Sequence, residues 1–166
     1  MPSTPPAYRV LFVCTGNTCR SPLAAAALRA ELGPDDGRVE VLSAGTGAGD
    51  GQPASEGSLA VAAADGLDLR AHRSRRLSGE LARTADLIVA MEPRHRDAVE
   101  RLGVPAERVR VISDWPEPGE PGLPVEDPFG GSREAYEECW RRIRRHVKRL
   151  APRVAEAARA RAAGNA

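Results

Sequence analysis

The feature that most constrains this chain is a fourfold alternation of short β-branched runs with helix-forming segments. Val10-Leu11-Phe12-Val13, Val39-Glu40-Val41-Leu42, Leu87-Ile88-Val89-Ala90 and Val109-Arg110-Val111-Ile112 have the length and composition of strands. The first is apolar enough to be buried on both faces. Helices are expected over 23–32, 54–64 and 93–102, closed by Gly33-Pro34, Gly66 and Gly103. Strands alternating with helices build βαβ units, so the predicted fold is α/β: three layers, a four-stranded parallel sheet with helices on both faces. In such sheets ligands bind beyond the carboxyl ends of the strands. The loop after the first strand, Ser43 after the second and the long loop after the fourth should therefore meet at one edge.

At 166 residues the chain is one domain, expected over 8–162. The Pro-rich residues 1–7 read as a disordered arm and 163–166 as a frayed end. Residues 45–53 are glycine-rich and are expected to be mobile. Residues 113–132 hold five prolines, a long loop of the kind that usually serves function. The final segment, Arg133 to about Arg161, reads as mostly helical: Tyr136, Trp140, Ile143, Val147, Leu150 and Val154 form one apolar stripe, and Pro152 is expected to kink or end the main helix near Leu150.

Lys and Arg number 24 against 23 Asp and Glu, a net charge of +1 that offers no global attraction for nucleic acid or an acidic membrane. The run Arg141, Arg142, Arg144, Arg145, Lys148 and Arg149 alternates with the apolar stripe and reads as a solvated helix face. No apolar stretch is long enough to span a membrane and no signal-like segment follows Met1. A cytoplasmic protein is expected, a monomer, with neither nucleic-acid nor membrane partner. Three cysteines make no disulfide framework in a chain this long.

Chemistry concentrates in Cys14-Thr15-Gly16-Asn17-Thr18-Cys19-Arg20-Ser21, with Pro22 where a helix would begin. A strand-to-helix loop points backbone N–H groups into one space, and the helix dipole favours an anion there. Arg20 adds a planar fork suited to phosphoryl oxygens. A thiol beneath such a nest sits in positive potential, which favours the thiolate. A cysteine is often just a small buried hydrophobe, but the position of Cys14 in this loop points to oxyanion chemistry. The loop lacks the Gly-Lys-Ser/Thr of a nucleotide P-loop, and Cys14 and Cys19 have no second ligand pair for zinc, so neither a metal nor a cofactor is expected. Asp127-Pro128 in the long loop supplies the best general acid, although such dipeptides are more often simple turns.

These residues closely resemble the low-molecular-weight protein phosphatase family, from about Tyr8 to Leu150. The match rests on Val13 to Pro22, Ser43-Ala44-Gly45, Ala85 to Met91 and Asp127-Pro128-Phe129, in family order. The resemblance implies Cys14 as nucleophile and Arg20 as phosphate binder. It implies Asp127 as acid and then base, and Asn17, Ser43 and His72 as the support of loop shape. Taken alone, His72 is a lone histidine beside Arg73 and Arg75 and reads as a surface residue.

Within the family the chain is most similar to the bacterial protein-arginine phosphatases, which share Thr15 after the nucleophile and Asp-Pro-Phe-Gly-Gly-Ser at 127–132. The tyrosine-directed branch usually carries a bulkier aliphatic residue after the nucleophile and further aromatics after Asp-Pro. A phenyl ring gains much of its binding from aromatic packing, and the chain has only two each of Phe, Trp and Tyr. Tyr8, Phe12, Tyr136 and Trp140 fall in the sheet and last helix, leaving Trp115 and Phe129 for loops near the site. The expected reaction is hydrolysis of phosphoarginine on proteins, with phosphotyrosine as the alternative and Thr15 and Phe129 as specificity positions. Arsenate reductases share the loop but need further cysteines in mid-chain, and 60–110 has none. A non-catalytic phosphoprotein binder would not need both Cys14 and Asp127. Cys19 could close a protective disulfide with Cys14, or simply pack. Cys139, beside Trp140, reads as scaffold.

Overall fold

The computed structural model describes residues 3–34, 38–116, 119 and 122–164. Strand β1 (Tyr8–Cys14) leads into helix α1 (Arg20–Leu32), and β2 (Val39–Gly45) into α2 (Glu56–Ala64). A short helix α3 (Gly79–Thr84) precedes β3 (Leu87–Ala90), followed by α4 (Pro93–Glu100), β4 (Val109–Val111) and the long α5 (Arg133–Ala162). The four strands are all parallel, in the order β2-β1-β3-β4. This is the expected α/β architecture. β1 lies between β2 and β3, so the loop leaving its carboxyl end emerges where the strand order reverses.

The two sides of the sheet carry separate cores because side chains alternate along each strand. Val10 and Phe12 pack with Leu23 and Leu28 of α1 and with Ile143, Val147 and Leu150 of α5. Leu11 and Val13 face the other way, against Ile88, Val99 of α4 and Ala82 of α3. All four of these β1 residues are fully buried, which is why their run is continuously apolar.

Two expectations need correction, and one element is added. First, α5 does not end near Leu150 but runs through Pro152 to Ala162. Pro152 is exposed, so the Lys148 carbonyl it leaves without a helical partner can turn to water. Val154 and Ala158 beyond it stay buried and hold the helix on course. Arg161 then clamps its end, donating to both carboxylate oxygens of Asp86 at 2.7 and 2.6 Å.

Second, residues 45–53 are pinned. Gly51 donates to the Ser74 carbonyl at 2.8 Å, Ser74 returns a bond to Gln52 at 2.7 Å, and Arg76 donates to the Asp50 side chain at 2.9 Å. The added element, α3, has no counterpart in the sequence reading. It spans six residues and buries only Ala82, too little for a period to register.

Of the expected arm over 1–7, residues 1 and 2 lie outside the described residues, and 3–7 have no regular secondary structure. Residues 165–166 of the expected C-terminal fray, and 117, 118, 120 and 121 of the long loop, also lie outside them.

Candidate active site

Cys14 ends β1, buried, with two groups directed at its sulfur: Ser21 Oγ at 3.0 Å and the Asn17 backbone N–H at 3.3 Å. The loop closes around it because Asn17 adopts a left-handed conformation, φ 55°, which asparagine tolerates better than most residues. The Asn17 side chain donates to Ser21 Oγ at 2.7 Å and Ser43 Oγ at 3.0 Å, and accepts from the Arg75 backbone N–H at 2.9 Å. The Asn17 backbone carbonyl accepts from His72 Nε2 at 2.6 Å. Burial lowers the His72 pKa, which suits a neutral ring donating from Nε2. His72 is thus half-buried and tied to the loop, not the plain surface residue its sequence neighbours suggested.

Gly45 makes the closest approach. A Cβ there would lie 2.4 Å from the Thr15 carbonyl oxygen and 2.9 Å from Asn17 N. Only glycine lets the end of β2 pass this loop.

Arg20, the first residue of α1, is 1% exposed. Its Nη1 donates to Glu92 Oε1 at 2.7 Å and to the Val125 carbonyl at 3.0 Å. Its Nη2 lies 3.6 Å from Asp127 Oδ2 and 3.5 Å from Thr15 Oγ1, and its buried Nε has no partner among the described residues. A guanidinium held from behind with free N–H groups ahead is arranged to meet an oxyanion. Burial pushes the Glu92 pKa up, but hydrogen bonding from Arg94 and the charges of Arg20 and Arg94 leave it below the usual range. Glu92 is therefore the resident counter-ion of Arg20.

The long loop reaches the site as the topology predicted. Val125 N–H donates to the Met91 carbonyl at the end of β3, and two residues later Asp127 faces Arg20. Asp127 Oδ1 accepts from the Phe129 N–H at 3.0 Å, a turn that Pro128 stiffens. A cleft of about 240 Å³ opens here, lined by Cys14, Thr15, Gly16, Thr18, Cys19, Arg20, Asp127 and Phe129. Phe129, 71% exposed, is the one aromatic wall it has among the described residues. Trp115, expected near the site, packs on the core instead, and its carbonyl faces His146 Nδ1 at 3.0 Å.

Cys19 Sγ donates to Ser55 Oγ at 3.2 Å and lies 3.5 Å from the Tyr136 hydroxyl. Cys14, Cys19 and Cys139 are all free thiols. Burial pushes Cys139 up to about 12, in keeping with a scaffold position. Among the described residues no group of three or more His, Cys, Asp or Glu is placed to hold a metal ion.

Two supports were missing from the sequence reading: Glu92 behind Arg20, and His95, whose Nε2 lies 2.8 Å from Thr15 Oγ1. Both come from the turn after β3, and nothing in Glu-Pro-Arg-His distinguishes it from an ordinary helix start. The hydroxyl of Thr15 bonds to that ring.

The family model for low molecular weight phosphotyrosine protein phosphatase matches residues 9–160. The chain belongs to this family. It is a low-molecular-weight protein phosphatase, tyrosine- or arginine-directed, and phosphorylated proteins are the substrates the family implies. Relatives of both kinds stand equally near. A protein-arginine-phosphatase of Geobacillus stearothermophilus is 40% identical, covering 89% of this chain and 96% of its own length. A low molecular weight protein-tyrosine-phosphatase of Streptomyces coelicolor is 39% identical, covering 94% and 99%. The solved YwlE arginine phosphatase from Geobacillus stearothermophilus superposes with a TM-score of 0.79 at 36% identity, over 90% of this chain and 94% of that one. No helix among the described residues is long and apolar enough to cross a membrane.

Proposed function

We propose that this phosphatase hydrolyses phosphoarginine on proteins through a phosphocysteine intermediate. The observation that carries the reading is the cleft itself. Thr15, less bulky than the aliphatic residue usual in the tyrosine-directed branch, lines it, and its single aromatic wall among the described residues is followed by Gly130 and Gly131. A phenyl ring would find one packing partner there, whereas the N–H groups of a planar guanidinium can pair with the carboxyl group of Asp127. The arginine-phosphatase relative adds support.

In the proposed cycle the Cys14 thiolate attacks phosphorus in line as the P–N bond breaks, and Asp127 gives its proton to the departing guanidino nitrogen. Arg20 and the loop N–H groups hold the equatorial oxygens as their charge redistributes. Asp127 then takes a proton from water, the resulting hydroxide attacks phosphorus, and the S–P bond returns its electrons to Cys14. Asn17, Ser21, Ser43 and His72 hold the loop, which also comprises Gly16, Thr18 and Cys19.

The test compares turnover of a phosphoarginine protein with that of a phosphotyrosine peptide, with Cys14→Ser as the dead control. The reading expects preference for phosphoarginine and a shift towards phosphotyrosine in Thr15→Ile. Preference of the natural protein for phosphotyrosine would overturn it, and that result is favoured by the tyrosine-phosphatase relatives and by Phe129 on the cleft rim.

We further propose that Cys14 and Cys19, which line one cleft, close a protective disulfide under mild peroxide. Both would remain thiols in a reducing cytoplasm, the compartment we assign to the protein. Mass spectrometry finding Cys14 only as higher oxides would remove the guard.

A further inference from the structure

The turn after β3 supports the cleft at two points, and the second has a direction. His95 is 1% exposed, and its Nδ1 accepts the Glu92 backbone N–H at 3.2 Å. A ring nitrogen that accepts cannot carry the hydrogen, so the hydrogen resides on Nε2. Nε2 lies 2.8 Å from Thr15 Oγ1 and therefore donates to it. Arg20 Nη2 approaches the same oxygen at 3.5 Å, as a second donor. Both lone pairs of Oγ1 are thus directed at donors, and among the described residues no protein acceptor takes the hydroxyl hydrogen. The Thr15 methyl points towards Gly47, where a Cβ would meet it at 3.8 Å. The rotamer is set: methyl to the glycine-rich loop, hydroxyl beside Arg20 in the cleft.

From this geometry we propose that His95 is a positioning residue that makes the Thr15 hydroxyl a fixed hydrogen-bond donor to a phosphoryl oxygen of the substrate. The proposal rests on the phosphatase reading of the cleft and deepens it. The N–H groups of a departing guanidine need an acceptor, which Oγ1, already receiving two donors, does not offer. The hydroxyl therefore serves the phosphoryl group, which every substrate shares. Any choice between arginine and tyrosine at this position then falls to the shape of the side chain.

The test is a double-mutant cycle, followed by kcat/KM on an aryl phosphate and by calorimetric binding of inorganic phosphate. Thr15→Val keeps the shape and removes the hydroxyl, and His95→Leu removes the donor. Each should lower kcat/KM about tenfold, the worth of one hydrogen bond to a charged group. The double variant should fall no further than Thr15→Val alone. His95→Gln, whose amide can still donate, should stay within about threefold of the natural protein by the same measure.

Independent losses that multiply in the double variant would overturn the proposal, as would a His95→Gln variant that folds yet fails like His95→Leu. Should the His95 variants not fold, the imidazole ¹⁵N shifts of the natural protein decide. A proton on Nδ1 instead of Nε2 overturns the proposal, and one on Nε2 upholds it. A natural protein inert towards aryl phosphate would instead overturn the phosphatase reading, while the tautomer and the phosphate-binding cycle still judge the role of His95.

Discussion

Replacing Asn17 by alanine should unfold the logic of the loop, and its cost can be worked from the contacts. The side chain makes three hydrogen bonds, to Ser21 Oγ, to Ser43 Oγ and from Arg75 N–H. At about 0.5–1.5 kcal/mol each, and with water able to replace the partner of the exposed Arg75 segment, their loss costs about 1–3 kcal/mol. Alanine also suffers at φ 55°, adding about 1 kcal/mol. Asn17→Ala should therefore lose about 2–4 kcal/mol in urea denaturation, with m unchanged. Asn17→Gly is spared the backbone strain but is freer when unfolded, so it should be the better of the two by at most about 0.5 kcal/mol. Aryl phosphate hydrolysis, measured under conditions where each variant is folded, should fall at least tenfold in both, because the Ser21 hydroxyl and the Asn17 N–H lose their placement about the sulfur. A stability loss below about 1 kcal/mol with unchanged kcat/KM would refute the idea that this side chain shapes the loop.

Three further outcomes are expected. Gly45→Ala drives a methyl into the Thr15 carbonyl and should cost about 1–3 kcal/mol together with most of the activity; a fully active variant of natural stability would show that β2 can move aside. Burial and the charges of Arg20 and Arg94 push the His95 pKa down to about 4, from an ordinary 6.5. Between those values the unfolded chain binds the proton and the folded one does not, so stability falls as pH drops from 6.5 to 4. That loss amounts to about 3 kcal/mol, and a His95→Gln protein should lack this share of the acid sensitivity in denaturation at each pH. Pro152→Ala restores an N–H to an exposed position of a continuous helix and should raise stability by about 1–3 kcal/mol; no gain would mean that the helix does not need the bond.

Much of the fold was legible because its signals are local. Val10 to Val13 is continuously apolar since both faces of β1 are covered, and the five prolines of 113–132 announce a loop. The grouping of Cys14, Arg20 and Asp127 followed from parallel topology, which sends every loop at the carboxyl ends to one edge. Where reading failed, the deciding contact was distant. Glycine content suggested mobility at 45–53, but hydrogen bonds to 74–76 hold that segment. Pro152 suggested a helix end, but Val154 and Ala158 find the core and Arg161 finds Asp86. Aromatic scarcity did carry through to the cleft, though Trp115 turned inward.

The sequence by itself determined the parallel α/β plan, the strand-to-helix loop that follows β1 and the order of its chemical groups, because strand composition, turn residues and the Cys14 to Pro22 run each act within a few positions. Only the tertiary structure decided what stands behind them. Glu92 on Arg20, His95 on Thr15, and His72 and Arg75 on Asn17 are contacts across 55 to 80 residues of chain. Such partners leave no periodic trace, since a hydrogen bond needs one atom in one place, and that place exists only once the sheet has brought the segments together.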